Sequence, residues 1–225
     1  MTALVRMRVT AFLGSGRIAA PAILALAVLG VLYGGGASEA APAYGYSATV
    51  FFPVLAWMVK LVLDTEPDVQ RRLARIVVGA RREALAGLLA AALCGLVLCL
   101  FAMAAPLLVG AIQGPDLLGG ILLGVVAHLL ALAAALALGA LSSRVVAGSL
   151  AKGLLILVGG AILTIIFGLS HSIAPWLVPP VMAVARALNA DTLPGAGRYA
   201  FLAAWSLTWC LVVLAGYSRL RSRRA

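Results

Sequence analysis

Residues 61–91, LVLDTEPDVQRRLARIVVGARREALAGLLAA, decide how this chain is read. A charged stretch, Asp64–Glu83, sits between two long apolar blocks. Within it Val69, Leu73, Ile76 and Val77 recur at i, i+4, i+7 and i+8, the spacing of an apolar stripe on a helix. Arg71, Arg72 and Arg75 fall off the stripe. Thr65 stands where it can cap that helix with Asp68 as its third residue, a variant of the capping box. Pro67 belongs in the first turn, where its missing N–H costs nothing. Acidic residues open the segment and basic ones follow, as the helix dipole prefers. Gly79 is the expected stop. A short amphipathic helix between two apolar blocks is the signature from which the rest follows.

Working outward, the blocks are too long and too apolar for a soluble fold. Hydrophobic residues make up 64% of the 225 and charged ones 11%, far from the composition of soluble domains. Runs of about 18 or more apolar residues read as bilayer-spanning helices. Six are expected: Ile18–Tyr33, Tyr44–Leu63, Ala84–Ile112, Leu117–Leu141, Leu154–Leu169 and Tyr199–Tyr217. Ala, Leu and Gly dominate and period-two alternation is missing, so the fold class is all-α and strands are not expected. Pro53 should kink the second span, and Lys60 can snorkel at its end. Residues 2–14 suit a helix in the headgroup plane, with Leu4, Val5, Val9, Phe12 and Leu13 on one face and Arg6 and Arg8 elsewhere; a frayed basic tail fits equally well. Residues 170–198 carry Pro175, Pro179, Pro180 and Pro194 around a helix-like piece, Val181–Leu188. They are too broken to span and too apolar for a free loop, so a re-entrant or interfacial hairpin is expected. No convincing cleavable signal peptide is expected; Ala37–Ala41 is the one weak match to a cleavage site.

Charge then sets topology. With six spans, every Lys and Arg except Arg186 and Arg198 falls on one side, out of 17. The positive-inside rule makes that side the cytoplasm, with both termini and residues 64–83 on it. An odd number of spans would destroy this asymmetry. A net charge of +10 in a soluble protein would suggest nucleic acid; here the basic residues face anionic headgroups and no nucleic-acid partner is needed.

The order of these features resembles the membrane-spanning permease subunit of ABC transporters, of the type-two exporter class that includes daunorubicin-resistance and polysaccharide-export permeases. The resemblance is carried by the interfacial helix, the quoted region, the proline-rich SHSIAPWLVPPVMAVARAL (residues 170–188) and two basic tails. It covers nearly the whole chain and is architectural. It implies that residues 64–82 hold a coupling helix, with Asp68, Val69, Gln70, Arg71, Arg72, Leu73 and Arg75 contacting an ABC ATPase subunit. It implies a second copy of this chain or a homologous permease beside it. The near absence of acidic residues from the apolar blocks fits an amphipathic or lipid-like cargo, and a composition high in Ala, Gly and Arg with few Lys suggests a bacterial cytoplasmic membrane. The chain lacks a G-x-x-x-x-G-K-[ST] phosphate loop, so ATP and Mg are expected on the partner and the chain itself is not expected to be an enzyme. A non-conducting anchor subunit and a secondary carrier are the rival readings.

Other residues are weaker candidates. All seven acidic residues lie in connections or at span ends, against a secondary carrier, which keeps ion ligands near the midplane. His128 stands mid-span and is a candidate pathway residue, although a neutral imidazole bonded to a neighbouring helix is the favoured account; no second metal ligand lies at i±3 or i±4. Ser170 and His171 are adjacent and lack an oxyanion partner or a rhomboid-like motif, which argues against a hydrolase. Cys94, Cys99 and Cys210 read as small buried hydrophobes. Gly30–Gly34 and Gly120–Gly124 are G-x-x-x-G pairs that allow close helix contact. Trp176, Trp205, Trp209 and Tyr199 are expected to anchor the outer interface.

Overall fold

A computed structural model of the chain describes residues 1–190 and 195–224. It is built almost wholly of helices: α1 (Thr2–Gly14), α2 (Ala19–Tyr33), α3 (Ala40–Leu63), α4 (Asp68–Val78), α5 (Ala80–Leu108), α6 (Leu117–Ser142), α7 (Arg144–Ala147), α8 (Leu150–Phe167), α9 (Val181–Leu188) and α10 (Ala196–Arg224). Five helices, α3, α5, α6, α8 and α10, are long and apolar enough to cross a membrane. α2 has 15 residues, about 22 Å of rise, short of the ~30 Å hydrocarbon core. It meets α1 at a bend of 73°.

α1 and the C-terminal end of α10 both reach Glu83, at the start of α5. The two ends of the chain therefore lie at one end of the bundle, here called the charged end.

α3 and α6 form the centre. Their contact is a seam of small residues: a side chain at Gly120 would strike Ala40 Cβ at 2.5 Å, and one at Gly124 would strike Tyr44 Cβ at 2.7 Å. Gly139 closes on Val59 in the same way. The backbones approach because no Cβ stands between them. The other G-x-x-x-G pair does nothing comparable, since a side chain at Gly30 would meet open space. Around the seam Phe51, Leu55, Ala131, Ala134 and Ala135 are fully enclosed. α8 and α10 lie outside it with most of their surfaces bare, as helices facing lipid tails require.

Several expectations need correction. Strands do occur: Ser38–Glu39 pairs in parallel with Ile112–Gln113 at the end opposite the charged one. The loops after α2 and α5 run side by side there, and Gly36 and Gly110 turn each of them with positive φ, so two short backbone stretches satisfy each other. Thr65 does not cap α4. Its hydroxyl donates back to Leu61 O within the last turn before the break, and Pro67 is the N-cap. The residue before a proline is steered away from helical geometry, so Glu66 stays outside and α4 opens after Pro67. Gly79 does stop α4, with φ +84°. However, α5 begins at the next residue, so Arg81, Arg82 and Glu83 belong to a helix and not to a connection. Lys60 does not snorkel; it is buried and paired with Asp64.

The proline-rich stretch after α8 turns inward. The carbonyl of Leu177 accepts from Trp209 Nε1 at 2.9 Å, about halfway along α10. Leu177 and Val178 share a cavity with Phe52, about halfway along α3. α9 then packs on α3, where a side chain at Gly45 would press on Leu188. Asp191 and Pro194, in the same expected segment, lie outside the described residues.

Candidate functional site at the charged end

α4 hangs between α3 and α5, with one face turned to the bundle and one away. Asp68, Val69, Gln70, Arg72 and Leu73 are exposed, and Ile76 and Val77 are more than four-fifths exposed. The apolar stripe read from the sequence is thus an exposed stripe among the described residues. Leu73, Ala74 and Val77 face Leu4, Met7 and Ala11 of α1 across an open cavity of about 740 Å³.

The opposite flank is basic. Asp68 pairs with Arg71 at 2.7 Å and with Arg144 of α7 at 3.3 Å. Arg72 and Arg75 join them around a second cavity of about 400 Å³. Arg71 is not presented outward as expected, since its side chain is only 13% exposed. Of the seven expected coupling residues, Arg71 and Arg75 are half-buried and the other five are open.

Beneath α4 lies a feature that the sequence did not disclose. Glu83 is fully buried and accepts from two arginines, Arg8 of α1 on one carboxylate oxygen and Arg221 of α10 on the other. Arg8 continues to Glu66 and also donates to Glu83 O at 2.8 Å. Arg221 continues to the hydroxyl of the buried Tyr217. The result is an alternating row, Glu66–Arg8–Glu83–Arg221, with no net charge. The glycine at 87 makes room for it, because a side chain there would meet Arg8 Nη1 at 2.8 Å. Buried charges persist only when paired and hydrogen-bonded in this way.

A second row runs beside the first. Lys60 pairs with Asp64, whose carboxylate also accepts from the backbone N–H of Arg144 at 2.7 Å. Arg17, just before α2, donates to Asp64 O at 3.3 Å. Together the two rows bind α1, the chain before α2, the α3–α4 link, α5, α7 and α10. Displacing α4 moves Glu66 and Asp68, and both are held by distant parts of the chain.

The isolated polar groups are quieter. His128 is buried in α6; Nδ1 lies 2.8 Å from Gly124 O and Nε2 3.2 Å from the Ser47 hydroxyl of α3. A carbonyl only accepts, so Nδ1 carries the proton and Nε2 is left to accept from Ser47. That is a helix-to-helix hydrogen bond in the central seam, as favoured from sequence. No group of three His, Cys, Asp or Glu among the described residues could hold a metal ion. Ser170 and His171 are exposed and not joined by a hydrogen bond among the described residues. Tyr199 is buried and donates to Leu123 O at 2.8 Å, so it is a packing residue and not an interface anchor. Trp176 is exposed, whereas Trp209 is tied to Leu177. Comparisons with protein-family models, curated proteins and solved structures return no match.

Proposed function

We propose that this chain is the permease subunit of an ATP-driven exporter, in which α4 couples a separate cytoplasmic ATPase to the membrane helices. The observation that carries the reading is an exposed amphipathic helix, hung between two long apolar helices and keyed by buried ion pairs to both ends of the chain. A device of that kind turns a push on one short helix into a shift of several long ones. Coupling demands contacts that differ between states, and α4 offers an open apolar groove on one side and an arginine face on the other. On this reading α2 is the sixth span, the charged end is cytoplasmic, and the Leu177 segment is a re-entrant hairpin on the outer side. Trp209 and the burial of Val178, Pro179 and Pro180 shield its backbone, as such a segment requires. The cargo would be amphipathic, since the long helices carry Lys, Arg, Asp and Glu only near their ends and His128 alone stands midway. A second permease copy and ATP with Mg on the partner complete the unit.

The test is photo-crosslinking in the native host from positions 72 and 73, with position 173 at the opposite end as control. Capture of an ATPase with a phosphate-binding loop from 72 and 73 alone supports the proposal. The pair Arg72→Glu and Leu73→Glu should abolish that capture and ATP-dependent export together. Assembly without ATP-dependent export would indicate a non-conducting anchor subunit. Export that survives loss of the ATPase and stops when the ion gradient collapses would indicate a secondary carrier.

One observation favours a second reading of α4 itself. Val69, Leu73, Ile76 and Val77 are exposed together, which also suits a helix lying on the headgroups. A nitroxide at position 76 separates the two. Collisions with oxygen dominate if the stripe lies in lipid, and collisions with a soluble nickel complex dominate if it waits for a protein.

A further inference from the structure

α5 and α10 both pack on α6, and at the charged end a cavity of about 410 Å³ opens between them. Its upper wall is polar, formed by Arg75, Arg81, Ser218 and Ser222. Its lower wall is Leu85, Leu88 and Leu214. No acidic residue lines it. Arg221, at the back, is already spent on Glu83 and Tyr217. Arg75 and Arg81 are not, as neither guanidinium has a hydrogen bond or ion pair among the described residues. Below the cavity, exposed leucines continue down the same two helices: Leu89 and Leu93 on α5, Leu211 and Leu207 on α10. They sit one and two turns on from Leu85 and Leu214, on the same helix faces.

We propose that this cavity binds one anionic phospholipid. The phosphate lies between the free guanidiniums of Arg75 and Arg81, and the acyl chains follow the two leucine rows; the hydroxyls of Ser218 and Ser222 stay bonded to Ala215 O and Arg219 O. Clustered arginines at the end of spanning helices recognise anionic headgroups. The apolar lower wall selects a lipid over an acidic protein segment, which would leave that wall unfilled. Arg75 lies in the last turn of α4 and Ser222 in the last turn of α10, so one headgroup bridges the amphipathic helix to α10. The proposal rests on the bundle standing in a membrane and not on the transport reading.

The test is native mass spectrometry of the purified full chain, titrated with dioleoyl phosphatidylglycerol and with dioleoyl phosphatidylcholine. The anionic lipid should be retained preferentially. The pair Arg75→Gln and Arg81→Gln should lower that preference about 30-fold, for two basic contacts. Arg82→Gln, outside the cavity, should leave it unchanged. If the double variant fails to fold, Ala84→Leu, which fills the cavity without removing charge, should reduce retention of the anionic lipid. Glycerol 3-phosphate, a headgroup without chains, should not displace the lipid. Equal retention of the two lipids, a double variant that behaves like Arg82→Gln, or displacement by glycerol 3-phosphate would each overturn the proposal.

Discussion

The two ends of the bundle are held by different forces. At the charged end, buried ion pairs join residues as far apart as Glu83 and Arg221. At the opposite end a two-residue strand pair and single hydrogen bonds, such as Arg186 to Gly168 O at 2.6 Å, do the holding. A buried charge is costly to leave alone, so the first arrangement shifts as a unit or not at all. Backbone pairs and single hydrogen bonds near a surface are each worth about 1 kcal/mol, so the second can yield piece by piece.

Substitutions can break or sharpen that contrast. Glu83→Gln removes the common partner of Arg8 and Arg221, and should destabilise the protein by roughly 3–5 kcal/mol, read as a large fall in the midpoint of unfolding in mixed micelles. Equal loss from Glu39→Gln at the opposite end would erase the distinction. Gly124→Val tests the seam that joins the two ends, since its side chain collides with Tyr44. A cost of about 1–3 kcal/mol is expected, while Gly30→Val should leave the same midpoint unmoved. Trp209→Phe removes one donor to Leu177 O, about 1 kcal/mol. Its effect should be local, with faster amide exchange at residues 176–178 and no change at 80–83. Arg144→Gln touches only the exposed pair with Asp68. It should cost less than about 1 kcal/mol, seen as a small fall in the midpoint at low salt that vanishes at high salt.

The helices were legible because long apolar blocks and a 3.6-residue stripe are local signals. The predicted 2–14 helix and 181–188 piece coincide with α1 and α9, and the break at Gly79 falls where a positive φ demands glycine. Less was legible where one residue type serves two ends. Arg8 read as a headgroup charge because Leu4, Val5 and Val9 seemed to own the buried face. Glu83 read as a loop residue because it stands among arginines. Nothing in the spacing links positions 8, 66, 83 and 221. Likewise, two G-x-x-x-G pairs of identical pattern differ only in what lies opposite them.

By itself the sequence determined an all-helical chain of long apolar segments, a short amphipathic helix between two of them, and a lopsided distribution of charge. Each depends on burial against lipid or water, which every residue meets according to its own chemistry and its neighbours along the helix. Only the tertiary structure decided that Glu83 is a buried hub, that Arg71 turns inward while Arg72 does not, and that Gly120 and Gly124 seat α3. Those outcomes depend on which distant side chain arrives at a given point, and a charge or a gap acquires its meaning only from the partner that fills it.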